Sequence, residues 1–310
     1  MKAVRIHSHG GPEVLTYEDV PVPNIQSDEL LIRVHAAGVN PIDYKVRQGI
    51  FRDDRKLQFP MILGWDFSGE VAAVGSSIKN FKAGDLVFGH PSMMRQGAYA
   101  EYIAVKENEI ALKPKALDHI YSSVIPLSAL TAWQALFDEA NLSANQKVLI
   151  HAASGGVGHL AVQLAKWKDA YVIGTASKNN KNFLLNCGID EFIDYNETEF
   201  DKVLKNIDVV FDTLGGDVQM KSWPILKREG FLISIVDPNQ IEAMSKRYDV
   251  HGKCFVVTSN YQELTKIAAL VDEGYLAPYL ETTFPLAEAA EAHRLIEQKH
   301  VRGKIALVVR

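Results

Sequence analysis

A glycine-rich turn between a strand and a helix is the feature of this sequence that most restricts its fold. Residues 147–168 read KVLIHAASGGVGHLAVQLAKWK: an apolar, β-branched run, then a turn, then a helical stripe. A dinucleotide pyrophosphate requires such a turn, because its backbone must approach without a Cβ and the helix N-terminus supplies N–H groups. Ala153 replaces the first glycine of the G-x-G-x-x-G template. The alternative is a strand-to-helix turn that binds no ligand, so the interpretation depends on the surrounding chain.

The surrounding chain, residues 123–282, alternates strand-length and helix-length segments. Because parallel strands need helical crossovers, this alternation predicts βαβ units and a parallel sheet. The fold class is therefore α/β for this part of the chain. The predicted strands are the β-branched runs at 148–150, 171–174, 209–211, 231–236 and 254–257.

Residues 1–122 have a different pattern, with short β-rich runs separated by Gly and Pro and with little helical periodicity. This pattern predicts a barrel-like β domain. Residues 286–298 predict one helix and 303–309 a last strand, so we expect 283–310 to rejoin this domain. We expect a ligand cleft between the two domains. The β-rich runs are Lys2–Ile6, Glu29–Val39, Gly69–Val74, Asp85–Gly89 and Ala98–Val105.

Composition excludes several classes of function. Hydrophobic residues make up 47% and charged residues 23%, and 33 Lys and Arg face 38 Asp and Glu without a run of one sign, so binding to nucleic acid or to anionic lipid is disfavoured. Two cysteines, Cys187 and Cys254, cannot build a disulfide framework or a thiolate metal cluster. No stretch approaches about 18 uncharged apolar residues, and the N-terminus lacks the apolar core of a signal peptide. We expect a cytoplasmic protein that binds no membrane.

The segment after the second predicted strand indicates which dinucleotide binds. An Asp or Glu about 20 residues beyond the turn would accept hydrogen bonds from an NAD ribose. The sequence here is GTASKNNK, with Ser177, Lys178 and Lys181 and no acid before Asp190. Hydroxyl and ammonium groups suit a ribose 2′-phosphate, which a carboxylate would repel, so NADPH is favoured over NADH. The alternative is a solvated helix face that follows a Ser177 N-cap.

In order along nearly the whole chain, several segments resemble the zinc-independent medium-chain dehydrogenase/reductase family, specifically its NADPH:quinone oxidoreductase branch. They read AAGVNPIDYKVRQG (36–49), GWDFSGEV (64–71), GAYAEY (97–102), PLSALTAWQAL (126–136), AASGGVG (152–158), DVVFDTLGG (208–216) and RGKIALVV (302–309). The resemblance implies a GroES-like catalytic domain of both chain ends, residues 1–122 and 283–310. It also implies a Rossmann NADPH-binding domain at 123–282 and assembly as a homodimer.

The resemblance also implies which residues contact the cofactor. Of these, Tyr195 is expected near the adenosine 2′-phosphate, with an ordinary half-buried tyrosine as the alternative. The implied positions are Asn40, Thr131, Gly155, Gly156, Val157, Ser177, Lys178, Tyr195, Leu214 and Lys304.

A comparison with the zinc-dependent branch of the family predicts that this chain binds no metal. The positions of the catalytic zinc ligands hold Asn40, Trp65 and Leu127, none of which can replace its ligand. The region that would carry the four cysteines of the structural zinc, residues 90–97, contains none. His90 lies near Asp85 in sequence, and a satisfied histidine is the expected interpretation.

Without a Lewis acid, we expect a substrate that delocalises the negative charge it gains when hydride is added. A quinone or an activated enone accepts hydride to give a delocalised phenolate or enolate, whereas an isolated ketone gives a localised alkoxide. Tyr44 is the preferred hydrogen-bond donor to the oxyanion, with a tyrosine that only packs as the alternative. Asn40 can bond the nicotinamide ribose or the substrate. Asp43 is the expected cap of the helix after Pro41. The candidates for an apolar wall are Phe51, Phe59, Trp65 and Met93, and core packing is the alternative for each of them.

Three other functions stay open at this point. A 2-alkenal or enoyl reductase would use the same residues on an acyclic double bond. A non-catalytic, crystallin-like or regulatory protein would keep the glycine-rich turn without catalytic geometry. A zinc alcohol dehydrogenase would require the metal that the sequence does not favour.

Overall fold

A computed structural model describes residues 1–50 and 58–309. Its strands are β1 (Lys2–Ile6), β2 (Thr16–Asp19), β3 (Glu29–Val39), β4 (Met61–Ile62), β5 (Phe67–Val74), β6 (Leu86–Gly89), β7 (Tyr102–Lys106), β8 (Ile110–Leu112), β9 (Lys147–Ile150), β10 (Tyr171–Ala176), β11 (Glu191–Asp194), β12 (Ile207–Asp212), β13 (Leu226–Ser234), β14 (His251–Cys254), β15 (Leu280–Pro285) and β16 (Lys304–Val308). Its helices are α1 (Pro41–Arg47), α2 (His119–Ser123), α3 (Pro126–Trp133), α4 (Gly158–Trp167), α5 (Lys181–Asn186), α6 (Phe200–Val203), α7 (Gly216–Ser222), α8 (Ile241–Tyr248), α9 (Tyr261–Asp272) and α10 (Ala289–Glu297).

The chain divides into two compact units. The first unit contains Met1–Leu130, Thr258–Gly274 and Pro278–Arg310, and the second contains Thr131–Val257 and Tyr275–Ala277. Both ends of the chain therefore belong to the first unit. Within the described residues, no helix has the length and apolar composition that crossing a bilayer requires.

The second unit contains a six-stranded parallel sheet in the order β11-β10-β9-β12-β13-β14. The strand order reverses at β9, which pairs with β10 on one side and β12 on the other, and this reversal defines the switch point of a doubly wound sheet. Helix α4 packs with Leu160, Ala161, Leu164 and Ala165 fully buried, as the helical stripe predicts. The predicted Rossmann-type sheet is confirmed.

The first unit contains a three-stranded sheet, β2-β1-β4, and a seven-stranded sheet in which β15-β16-β3-β5-β6-β8 follow one another and β7 pairs with β3. The last strand, β16, pairs antiparallel with β3, with Ile305 opposite Val39. The prediction that the final strand rejoins the N-terminal domain is confirmed. The N-terminal half of this unit is rich in β-strands, as the short β-rich runs predict.

One strand of the second unit was predicted at the wrong position, and one was missed. The strand predicted at 254–257 is β14, which lies at His251–Cys254 and pairs with β13 through backbone bonds. The prediction followed the apolar composition of residues 254–257. Val256, however, lies beyond the end of the strand and is 70% exposed. Strand β11 was not predicted at all, because its EFID sequence mixes acidic and apolar residues and lacks a β-branched run.

Candidate active site

The turn between β3 and α1 presents the first group of predicted site residues. Asn40 has an extended backbone and caps α1, whose first residue is Pro41. The Asp43 carboxylate accepts the Asn40 backbone N–H at 2.7 Å and the Tyr99 hydroxyl at 2.8 Å. The interpretation of Asp43 as a helix cap is confirmed. Burial raises the Asp43 pKa to about 7, although both donors oppose this shift.

The Asp66 carboxylate, directly before β5, accepts hydrogen bonds from several groups of the first unit. One oxygen accepts from Asn40 Nδ2 at 2.9 Å and from Lys304 Nζ at 3.0 Å, and the other from the Leu127 amide at 2.7 Å. Lys304 Nζ also donates to Asn40 Oδ1. Asp66 is fully buried, and Asn40 and Lys304 are 2% and 3% exposed. The structure therefore brings two predicted cofactor-contacting residues, Asn40 and Lys304, into one buried hydrogen-bonded cluster.

This cluster limits what the Asn40 amide can still do. An amide has two N–H donors and an oxygen with two lone pairs. Asp66 takes one N–H and Lys304 one lone pair, so one donor and one acceptor site remain. The orientation of the Asn40 side chain is thereby fixed.

Tyr44 lies on α1, one turn after Asn40, and is 9% exposed. Burial, and secondarily Glu297, raises the pKa of its phenol. The hydroxyl therefore stays protonated at neutral pH and is able to donate a hydrogen bond.

The residues of the predicted apolar wall differ in exposure. Trp65 is fully buried in the core, which rules it out as an accessible wall. Phe59 is 39% exposed with its ring edge-on to His9, and Met93 is half-buried. Phe51 lies outside the described residues.

The positions compared with zinc ligands are part of the packing. Trp65 lies in the core, and its backbone carbonyl is 2.6 Å from His90 Nδ1. His90 is therefore a satisfied, buried histidine, as expected, and burial lowers its pKa. Across residues 1–50 and 58–309, His, Cys, Asp and Glu side chains form no group of three or more that could hold a metal ion.

In the second unit, the glycine-rich turn joins β9 to α4 at the switch point of the sheet. A Cβ on Gly158 would lie 2.3 Å from the Ala152 carbonyl oxygen and 2.8 Å from the Ala153 Cα, so helix and turn pack through a position that only glycine can occupy. Ala153, at the template's first glycine position, is buried and its amide donates to the Thr175 carbonyl at 3.0 Å. The turn residues Gly155, Gly156 and Val157 are half-buried and precede the N-terminus of α4. This geometry fits a pyrophosphate.

The residues predicted at the adenosine 2′-phosphate follow β10 and β11. Ser177 is half-buried and its hydroxyl accepts from Asn180 Nδ2 at 3.1 Å. Lys178 is exposed and pairs with Glu197 at 3.0 Å. Lys181 begins α5, and Tyr195 is 56% exposed just beyond β11. Thus a hydroxyl, a lysine and a tyrosine lie at one edge of the sheet.

A second buried carboxylate, Asp212, shapes the turn after β12. Its Oδ1 accepts the amides of Leu214 at 3.0 Å and Gly215 at 2.8 Å, and its Oδ2 accepts from Ser234 Oγ and Gln219 Nε2. The turn holds Leu214 with 53% of its surface exposed.

Thr131, the remaining predicted contact, is 4% exposed on α3.

Asp66 and Asp212 were not predicted from the sequence, although both carry recognisable signals. Asp66 is an acid within the apolar run MILGWDF, and a carboxylate in such a run must be paired if it is buried. Asp212 ends a buried strand and precedes Thr-Leu-Gly-Gly, which is a pattern typical of Asx turns. The roles predicted for the site residues toward a ligand stay predictions.

Two stretches of the chain match known protein families. Residues 26–115 match the alcohol dehydrogenase GroES-like domain, and residues 187–307 match the zinc-binding dehydrogenase family.

Three relatives that match 99% or more of this chain are named as oxidoreductases. The NADPH-dependent alkenal/one oxidoreductase, chloroplastic, of Arabidopsis thaliana is 34% identical over 99% of this chain and 79% of its own length. The structure of the quinone oxidoreductase from Coxiella burnetii has a TM-score of 0.95 and 39% identity, covering 100% of this chain and 99% of that one. The Escherichia coli quinone oxidoreductase complexed with NADPH has a TM-score of 0.90 and 26% identity, covering all of both chains.

Lys304→Met tests the buried ion pair. The substitution leaves the Asp66 carboxylate buried without its cation, and we expect the free energy of unfolding to fall by about 3–5 kcal/mol in urea titrations. The control is Lys2→Met, whose pair with Asp19 is exposed to solvent and should therefore contribute far less. Asp66→Asn with Lys304→Met should recover part of the loss, since both charges are removed. Equal, small effects of Lys304→Met and Lys2→Met would contradict this account.

Asp43→Asn tests the perturbed carboxyl. Because the folded-state pKa of about 7 lies above the ordinary 3.8, wild-type stability from this group is full below pH 4 and is lost as the pH rises toward 7. The introduced amide keeps an acceptor oxygen, so the variant should gain about 1–3 kcal/mol on the wild type between pH 5 and pH 8 in urea titrations. For Asp19→Asn the difference should show no such gain, because Lys2 lowers the pKa of that exposed carboxyl. A flat difference for Asp43→Asn would refute the assignment.

Proposed function

The chain belongs to the quinone oxidoreductase branch of the medium-chain dehydrogenase/reductase family, and on that premise we propose that it transfers hydride from NADPH to a quinone or an activated enone. The observation that carries the proposal is the β9–turn–α4 unit at the switch point of the sheet, where Gly158 has no room for a Cβ. That position of a doubly wound sheet is where dinucleotides bind. The chain's own residues then determine which dinucleotide binds and which acceptor reacts.

The residues of the second unit support NADPH as the cofactor. The N-terminus of α4 leaves backbone N–H groups for the pyrophosphate, and the half-buried turn residues Gly155, Gly156 and Val157 allow close approach. Ser177, Lys178 and Tyr195 supply hydroxyl and ammonium donors for the 2′-phosphate. Leu214 and Thr131 would pack against the rest of the cofactor. When bound, NADPH supplies the hydride from its dihydronicotinamide ring.

The residues of the first unit support an acceptor whose negative charge is delocalised. Asn40 keeps one N–H donor in a fixed direction, and Lys304 keeps its ammonium beside it through Asp66. Tyr44 holds a proton at its phenol oxygen and donates a hydrogen bond to the developing oxyanion. Neutral donors and one paired ammonium suit an enolate or phenolate better than a localised alkoxide.

We further propose that the reaction needs no zinc. Of the three ligand positions, Asn40 is engaged by Asp66 and Lys304, Trp65 is enclosed by the core, and Leu127 has an aliphatic side chain. None offers a thiolate, imidazole or carboxylate. The proposal also includes a catalytic domain of 1–122 and 283–310, a cofactor domain of 123–282, a homodimer in the cytoplasm, and no nucleic-acid or membrane partner.

A second candidate is the reduction of acyclic 2-alkenals and 2-alkenones. It is favoured by the 34% identity to a relative named as an NADPH-dependent alkenal/one oxidoreductase. Conjugate hydride addition to an alkenal makes an enolate, and the same donors, Tyr44 and Asn40, would stabilise it. The two candidates therefore differ in the shape of the acceptor and share the residues.

A substrate panel tests both candidates. NADPH consumption would be measured with benzoquinones, naphthoquinones, 2-alkenals, 2-alkenones and a saturated ketone, with NADH as the second cofactor and with a zinc chelator added. We expect quinones or enones to react at least about 100-fold faster than the saturated ketone, because only they delocalise the charge, and we expect the chelator to have no effect.

Each other result of the panel has a definite meaning. Turnover of acyclic 2-alkenals and 2-alkenones without turnover of any quinone would favour the second candidate over quinone reduction. Tight NADPH binding with no turnover would indicate a non-catalytic nucleotide-binding protein. Zinc-dependent reduction of the saturated ketone would refute the metal-free mechanism.

A further inference from the structure

The carboxyl edge of β10 and β11 places a carboxylate beside the lysine assigned to the 2′-phosphate. The two strands are parallel neighbours with Ala176 opposite Asp194, so the segments that follow them start at the same edge. The Tyr195 amide donates to the Ala176 carbonyl at 3.4 Å, which ties the two segments together. Lys178 and Glu197 lie two and three residues beyond that register pair. Their proximity is a consequence of the sheet.

Glu197 already forms an ion pair with the Lys178 ammonium. Nζ and Oε1 are 3.0 Å apart, with 73% and 61% of the two side chains exposed. The hydrogen bond from Lys178 to Glu197, and then the charge of Glu197, raises the pKa of Lys178, and Asp194 adds a smaller contribution of the same sign. The ammonium that would meet a 2′-phosphate therefore starts in a partly neutralised environment.

The charge of Glu197 has opposite consequences for the two dinucleotides. A ribose 2′-phosphate carries close to two negative charges, and it must compete with Glu197 for Lys178 while being repelled by the carboxylate. A ribose 2′-hydroxyl has no charge, and carboxylates are the groups that accept hydrogen bonds from it in NAD sites. Glu197 follows β11. It therefore lies outside the segment after β10, where the acid of an NAD site is expected.

On the basis of the NADPH preference proposed above, we propose that Glu197 is a specificity-determining residue that weakens this preference for NADPH over NADH. Solvent screens an exposed lysine–glutamate pair and makes it weak, so the phosphate can displace Glu197 from Lys178. Glu197 therefore reduces the discrimination without abolishing it. At a separation of about 6 Å in water, each unit of like charge weakens binding by roughly threefold.

The test is a binding titration with Glu197→Gln. NADPH, NADH, 2′,5′-ADP and 5′-AMP would be titrated by calorimetry at low and high salt, so that the adenosine end is measured apart from any turnover. We expect the variant to bind NADPH and 2′,5′-ADP about three- to tenfold more tightly, and NADH and 5′-AMP equally or less tightly. The gain should shrink at high salt, because the charges are exposed to solvent. Glu199→Gln, the same charge change at an exposed site outside the pair, should produce less than about half of this gain.

A second variant, Lys178→Ala, tests whether Glu197 acts through the Lys178 ammonium. In Lys178→Ala the gain from Glu197→Gln should be smaller, because no ammonium is left to be freed and only the direct repulsion of the phosphate by Glu197 is removed. An unchanged gain in this background, or equal effects of Glu197→Gln and Glu199→Gln, would overturn the role of Glu197 while leaving quinone reduction with NADPH intact. A protein that binds neither dinucleotide would instead overturn the proposed function, and this inference with it.

Discussion

A buried carboxylate, Asp66, links three elements of the first unit. Asp66, at the start of β5, binds the side chain of Asn40 at the end of β3, the ammonium of Lys304 at the start of β16, and an amide in the first turn of α3. Asn40 and Lys304 are 264 residues apart in sequence. A charged group with almost no exposure is tolerated only when its partners are in place, so the arrangement forms together with the fold. It fixes the direction of two side chains that the family resemblance places at the cofactor.

In the second unit, another buried carboxylate orients a second segment that is proposed to contact the cofactor. Asp212 is held by four neutral donors of the described chain, two from the turn that follows it and two from side chains of the same unit. Four donors to one carboxylate offset much of its desolvation cost. The turn that carries Leu214 is thus set by a group that never needs to touch the ligand. In both units a buried acid orients the residues proposed to contact the cofactor.

The architecture was largely predictable from the sequence, because hydrophobic periodicity and glycine placement report directly on backbone geometry. The β9–turn–α4 unit and the return of β16 to β3 followed from such patterns. β14 was misplaced because backbone pairing, which leaves no trace in side-chain composition, defines an edge strand. The site was only partly predictable. Asn40 and Lys304 came from resemblance, whereas their link through Asp66 is a long-range contact that no local pattern records.

The central claim is that hydride from the bound cofactor adds directly to the conjugated end of an acceptor, with hydrogen-bond donors and no Lewis acid on its oxygen. The most direct measurement is reduction of a 2-alkenone with NADPH deuterated at either face of C4, followed by mass and NMR analysis of the ketone. The account predicts one non-exchangeable deuterium at the β-carbon from one labelled cofactor and none from the other. Deuterium at the carbonyl carbon, or product without deuterium from either cofactor, would contradict it.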